Sequence, residues 1–216
     1  MVAKAPVPGQ VKTRLTPALT PQEAAAVARA LLADTLANAG RVRADRWCVY
    51  AGCRAEVARG VPADVALLEQ VGETFAQRLA AAQGALFARG YDRVVLLGAD
   101  CPTVGPGDLG RALQELEVAD VVLGPARDGG YTLLGARAPD AGLFLGVPMG
   151  TGTVLAATVG RARALGLSVA LTPPRHDLDT VEDLRAASAA GELRGAPATT
   201  ALLAALGVTP QHAAAG

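Results

Sequence analysis

Residues 93–113 read "RVVLLGADCPTVGPGDLGRAL". An apolar run ends at Gly98 and Asp100, and a Pro- and Gly-rich segment then opens a helix-like stretch. A short continuous apolar run of this kind reads as a strand covered on both faces. The same stretch spells Gly105-x-Gly107-x-x-Gly110, the spacing of a dinucleotide fingerprint. That fingerprint belongs in the tight turn directly after a strand. Here Cys101 to Val104 intervene and Pro106 removes a donor from the loop, so the glycines read as a helix start and a Rossmann dehydrogenase is disfavoured. Asp100 is left at the carboxyl end of a strand, where open α/β sheets bind their ligands.

Moving outward, similar runs occur at "RWCVYAG" (46–52), "DVALLEQ" (64–70), "ADVVLGPA" (119–126), "GYTLLGA" (130–136) and "LSVALTPP" (167–174). Helix-period segments lie between them. Residues 21–39 follow Thr20, with Pro21 at the first helical position and Glu23 placed for a capping box, and stop at Gly40. Residues 74–90 and 152–166 each end at a glycine, and 180–190 again begin with a Thr cap and an acidic residue three later. This alternation predicts one α/β domain over 1–216, with a mostly parallel central sheet and helices on both faces. The connection inside "DVVLGPARDGGYTLLGA" is too short for a parallel crossover, so a hairpin or sharp reversal belongs there. The tail after about residue 208, "TPQHAAAG", is expected to fray.

Composition narrows the function. Half of the 216 residues (51%) are apolar and 3% aromatic, so Val, Leu and Ala must build the core. Lys plus Arg (20) equals Asp plus Glu (20), which argues against a nucleic-acid backbone as partner. The three cysteines form no C-x-x-C pair, as in a reducing compartment. No apolar run approaches the roughly 18 residues of a membrane span, and no apolar leader opens the chain, so a cytoplasmic protein without a membrane partner is expected. Neither Ser168 nor Ser188 sits in a G-x-S-x-G elbow.

The polar residues that follow the apolar runs are Asp100, then Asp128, Gly129 and Gly130, then His176, Asp177 and Asp179. Carboxylates gathered on one sheet edge suit Mg²⁺, which takes one or two of them together with substrate phosphates. The opening segment "KAPVPGQVKTRL" (4–15) sets Lys4, Lys12 and Arg14 around a Pro-Gly turn. Such a loop can offer backbone N–H groups and cations to phosphates. It is not a Walker loop, because Val11 rather than Gly precedes Lys12-Thr13.

In order along the chain, "AKAPVPGQVKTRLTPALTPQEAAAVARALLADTL", "LLGADCPTVGPGDLGRAL", "DVVLGPARDGGYTLLG" and "RHDLDTVEDL" resemble the blocks of the bacterial DUF2064 family, over about residues 3–188. That family is similar to the molybdenum-cofactor and phospholactate guanylyltransferases. The resemblance implies a three-layer nucleotide-diphospho-sugar transferase (GT-A-like) fold. It further implies a nucleotide loop at Gly9, Lys12 and Arg14 with Lys4 at its entrance. Asp100 and Asp179 would be catalytic residues holding Mg²⁺ or Mn²⁺, assisted by Asp177, and Asp128, Gly129, Gly130 and Tyr131 would lie near the acceptor. The sequence departs from the family at three places. The first strand is shortened to about Met1-Val2-Ala3, a "DLGERL"-type segment reads Glu73-Thr-Phe-Ala-Gln-Arg-Leu79, and a Trp-Ser-Thr reads Met149-Gly150-Thr151.

The expected function is metal-dependent transfer of a sugar from a sugar nucleotide to an acceptor, with nucleotidyl transfer from an NTP to a phosphorylated acceptor, or nucleotide binding without turnover, as the alternatives. Before ligand binds, Asp100 and Asp179 are expected to repel each other, with at least one pKa raised. Charge reversal at Lys12 or Arg14 is expected to weaken nucleotide binding without unfolding the chain.

Overall fold

The computed structural model describes residues 1–208, so the expectation for the tail lies outside the described residues. In chain order the elements are β1 (Val2–Lys4), α1 (Pro21–Ala39), β2 (Trp47–Ala51), α2 (Arg54–Ala58), β3 (Ala66–Glu69), α3 (Phe75–Phe87), β4 (Val94–Leu97), α4 (Pro106–Glu115), β5 (Val121–Pro125), β6 (Tyr131–Ala136), α5 (Val154–Ala164), β7 (Val169–Leu171), α6 (Val181–Ala189) and α7 (Pro197–Ala205). Strands β3, β2 and β1 pair in parallel. Strands β4, β6, β5 and β7 form a second set, joined to the first by a parallel bridge between Val2 and Gly98. The resulting order is β3-β2-β1-β4-β6-β5-β7, and β6 alone runs against its neighbours. The short connection between β5 and β6 is the expected hairpin, with an irregular register between Gly124 and Pro125.

Alternation along the strands makes the layers. Cys48 and Tyr50 of β2 and Leu97 of β4 face a core shared with α1, α2 and α4. Val49, Val94 and Leu96 face the opposite core, filled by α3, α5 and the segment around Phe144. Successive strand side chains point to opposite faces, so each buried run feeds both layers. The apolar back of α1 (Val27, Leu31) meets α6 and α7 in a third cluster.

The helix starts follow their caps. Thr20 and Glu23, Thr74 and Gln77, and Thr180 and Asp183 each form a reciprocal capping box. Asp108 reaches back to the Gly105 N–H at the head of α4, so Asp100 takes no part in capping that helix. Two helices, α2 and α7, had no counterpart in the sequence reading. Helix α7 is held by the buried Asp34 of α1, whose carboxylate accepts the N–H groups of Ala198 (3.2 Å) and Thr199 (2.7 Å).

Candidate active site

The opening loop is shaped by a turn. The Gln10 N–H donates to the Val7 carbonyl at 3.0 Å, with Pro8 second and Gly9, at φ +76°, third. This is the residue order of a type II turn, whose third position needs positive φ. Buried Val11 and Leu15 then pin the loop to the core. Between them Lys12 is, among the described residues, the one non-glycine with positive φ (46°). A left-handed lysine is uncommon and costs energy unless its surroundings hold it.

Here the surroundings are two carboxylates. The Lys12 Nζ lies 2.6 Å from Asp100 Oδ2 and 2.9 Å from Asp179 Oδ1. Arg14 Nη1 donates to the other oxygen of Asp179 at 3.0 Å. One ammonium touching both carboxylates brings residues from opposite ends of the sequence to one point, the carboxyl edge above β1 and β4. The Lys12 side chain is 6% exposed, whereas that of Arg14 is 69% exposed.

This geometry corrects two expectations. Burial alone would lower the Lys12 pKa, but Asp100 and Asp179 outweigh it and hold the ammonium charged. Partial enclosure would raise Asp100, whose side chain keeps 41% of its exposure, yet the adjacent ammonium holds its pKa below the ordinary value. The carboxylates therefore share a counterion rather than repelling, and the raised pKa falls on Asp177. Burial first, then the charges of Asp179 and Asp100, push Asp177 up to about 6. In addition, Lys12 is a buried partner rather than a solvated loop cation. Its charge reversal would set a further carboxylate against Asp100 and Asp179, so Arg14 is the cleaner position at which to test binding.

Two cavities flank the Lys12 cluster and share Lys4, Asp100 and Asp179 among their walls. The loop side, about 330 Å³, is lined by Gln10, Lys12 and Arg14. The far side, about 560 Å³, is lined by Gln70, Phe75, Arg78, Cys101, Tyr131 and Asp177. Lys4 itself donates to the Gln10 carbonyl at 2.8 Å and braces the loop mouth.

The Asp128–Tyr131 segment divides. Tyr131 lines the far cavity, and burial pushes its phenol up to about 12, so it stays protonated. Asp128 turns back to accept the Gly130 N–H at 2.9 Å. Gly129, at φ +91°, presses against the next loop, and a Cβ there would overlap the Gly152 carbonyl. Asp128, Gly129 and Gly130 thus build a turn whose product is the placement of Tyr131.

The backbone leading into Asp177 and Asp179 is anchored at two successive residues. Arg175 makes a two-pronged contact with Asp108 at 3.0 and 2.7 Å. The backbone N–H of His176 donates to Glu192 at 2.9 Å, and its carbonyl accepts the Thr103 hydroxyl at 2.9 Å. Among the described residues no three His, Cys, Asp or Glu side chains form a ready metal cluster. The pair Asp100 and Asp179 still fits a hard divalent ion, since it already holds a cation between two carboxylate oxygens and phosphates can complete such a sphere.

Sequence reading missed Arg78, Phe75 and Gln70. The signal for the first two was the altered Glu73–Leu79 segment, which lands at the head of α3 facing the far cavity. Gln70 follows β3 and bridges the carbonyls of Ala3 (3.0 Å) and Val49 (2.9 Å), contacts that depend on strand order.

Comparison with known proteins agrees with this architecture. A 2-phospho-L-lactate guanylyltransferase from Methanothermobacter thermautotrophicus is 29% identical over 176 residues, 80% of this chain and 76% of that protein. A crystal structure from Desulfovibrio desulfuricans G20, assigned provisionally as a nucleotide-diphospho-sugar transferase, superposes with a TM-score of 0.87 at 31% identity, covering 96% of this chain and 97% of the other. A cytidylyltransferase from Leptospira borgpetersenii shares the fold at a TM-score of 0.54 and 12% identity, covering 100% of this chain and 97% of that one. The family model described as "Uncharacterized protein conserved in bacteria (DUF2064)" matches residues 19–151. The chain belongs to the DUF2064 family, and its fold is that of the nucleotide-diphospho-sugar transferases.

Proposed function

We propose that this chain is an enzyme that binds a nucleoside triphosphate in the loop-side cavity and transfers its nucleotidyl group to an acceptor in the far cavity. The observation carrying this reading is the Lys12 ammonium shared by Asp100 and Asp179 at the junction of the two cavities. A charged centre between a cation-lined pocket and a second pocket is where an α-phosphate must sit to be passed across. Arg14 and Lys12 would bind the phosphate oxygens and offset charge as the bond changes. The acceptor oxygen forms a bond to the α-phosphorus. The bond from that phosphorus to the bridging oxygen breaks, and pyrophosphate leaves with the electron pair. Asp100 and Asp179 would hold Mg²⁺ or Mn²⁺, with Asp177 beside them. Bound there, the ion supplies neutralisation of phosphate oxygens and Lewis acidity. The guanylyltransferase relative favours this reading.

Glycosyl transfer from a sugar nucleotide is the second reading, favoured by the Desulfovibrio structure. A thermal-shift panel of NTPs and sugar nucleotides, with and without Mn²⁺, identifies the donor, because a ligand at a hundred times its Kd adds about 2.7 kcal/mol of stability. Pyrophosphate release from an NTP then supports nucleotidyl transfer. Release of a nucleoside diphosphate from a sugar nucleotide supports glycosyl transfer, and tight binding with neither product supports a protein without turnover.

A further inference from the structure

Helix α3 starts just past the carboxyl end of β3, so its first turn faces the far cavity. Phe75 and Arg78 lie three apart and share a face of that helix, whereas Leu79, Ala82 and Leu86 turn into the core. Phe75 is 46% exposed and lines the cavity together with Arg78 and Tyr131.

Arg78 differs from the other cations around the two cavities. Lys4 has the Gln10 carbonyl, Lys12 has Asp100 and Asp179, and Arg14 has Asp179. The Nε of Arg78 is buried and has no hydrogen-bond partner among the described residues. Shutting such a donor away from water without an acceptor costs about 1–3 kcal/mol, more for a charged group. The unpaired Nε leaves Arg78 with a donor that a ligand in the cavity can complete. A guanidinium matches the geometry of a carboxylate or phosphate through paired N–H groups. Phe75 and Tyr131 supply apolar walls for a short carbon skeleton.

We propose that Arg78 is the anion-binding residue of the far cavity, and that the molecule bound there is a small metabolite carrying a phosphate or carboxylate. Calling that molecule the acceptor rests on the transferase reading above; the anion site itself does not.

The test is calorimetric titration of the full chain with 2-phosphoglycerate, glycerate and glycerol 3-phosphate, with glycerol as the uncharged control. Each titration is run alone and with saturating GTP and Mn²⁺. At least one of the three anions is expected to bind while glycerol does not. Arg78→Gln should weaken that binding tenfold or more, and Arg78→Lys should retain part of it by keeping charge while losing the fork. Arg163→Gln, an exposed cation outside both cavities, should leave it unchanged. Glycerate binding alone identifies a carboxylate site, and glycerol 3-phosphate binding alone a phosphate site. Anion binding that depends on Arg78, without any nucleotide binding, keeps the site and sinks the transferase reading. Nucleotide binding with no anion bound, or with anion binding indifferent to both Arg78 variants, overturns this proposal alone. Unaltered thermal melting of Arg78→Lys guards against misfolding as the cause of a loss.

Discussion

Replacing Arg14 by glutamate separates binding from folding, because its guanidinium is largely in solvent and its loss leaves Asp179 still paired with Lys12. We expect nucleotide affinity to fall by about tenfold, the equivalent of ~1.4 kcal/mol, with a thermal midpoint close to that of the parent. Lys12→Met should behave differently. Breaking a buried ion pair from one side costs about 3–5 kcal/mol, and the 41% exposure of Asp100 reduces this to roughly 2 kcal/mol. Urea unfolding of the ligand-free variant measures that cost. An unchanged midpoint would mean that the ammonium contributes nothing to the fold. At this scale the sequence was informative about residue type and silent about burial. It offered three cations beside a Pro-Gly turn, and nothing in that string says that Lys12 folds inward while Lys4 and Arg14 stay out. The left-handed backbone at Lys12 is a product of the packed loop and has no local sequence signature.

Among the elements, helix α7 depends on one side chain. Asp34→Ala would strip two N–H groups at its start of their acceptor, and a hydrogen bond to a charged group is worth about 1.5–3 kcal/mol. We expect a loss of about 2 kcal/mol in chemical denaturation and faster hydrogen exchange confined to 197–205. Strands β5 and β7 are clasped at their entry. Asp120 accepts the hydroxyl (2.6 Å) and N–H (2.9 Å) of Ser168, and these bonds hold its pKa below the ordinary value of 3.8. A depressed carboxylate contributes stability that is present above the unfolded pKa and lost as pH falls through the folded one. Stability measured from pH 5 downward should therefore decline less steeply in Asp120→Asn than in the parent. Gly129→Ala should be poorly tolerated, since the added carbon meets the Gly152 carbonyl. Soluble yield and melting temperature would both fall, and the far cavity would be reshaped with them, because Tyr131 would move. The caps of α1 and α6 were readable from Thr20 and Thr180, since a capping box is local. The anchor of α7 was not, because Asp34 lies 164 positions before the amide it receives.

For the whole molecule, alternation of apolar runs with capped segments carried the three layers and the largely parallel sheet. The reversal of β6 was legible in the few residues between it and β5. Its insertion between β4 and β5 was not. Pairing partners are chosen by long-range packing, here around Gly135, where a Cβ would meet Val122 and Val95 side chains at 2.6 and 3.1 Å. The meeting of Asp100 with Asp179 was anticipated from the rule that ligands gather at strand ends. The counterion between them was not.

Strands β1 and β4 join the two halves of the sheet through the bridge between Val2 and Gly98, with the Ala99 N–H donating to the Val2 carbonyl at 3.0 Å. A sheet linked by so few rungs shears most easily along that line. Lys12 leaves the chain on the β1 side and grips Asp100 on the β4 side, so it works as a rivet across the joint. In Lys12→Met, exchange of the Ala99 amide should accelerate by tenfold or more, while amides between β5 and β6 keep their protection. A triphosphate that draws the ammonium away from Asp100 would release the same rivet, and would then have to fasten the two halves itself. Where the ammonium sits in the cleft and how stiff the sheet is beneath it would then be coupled.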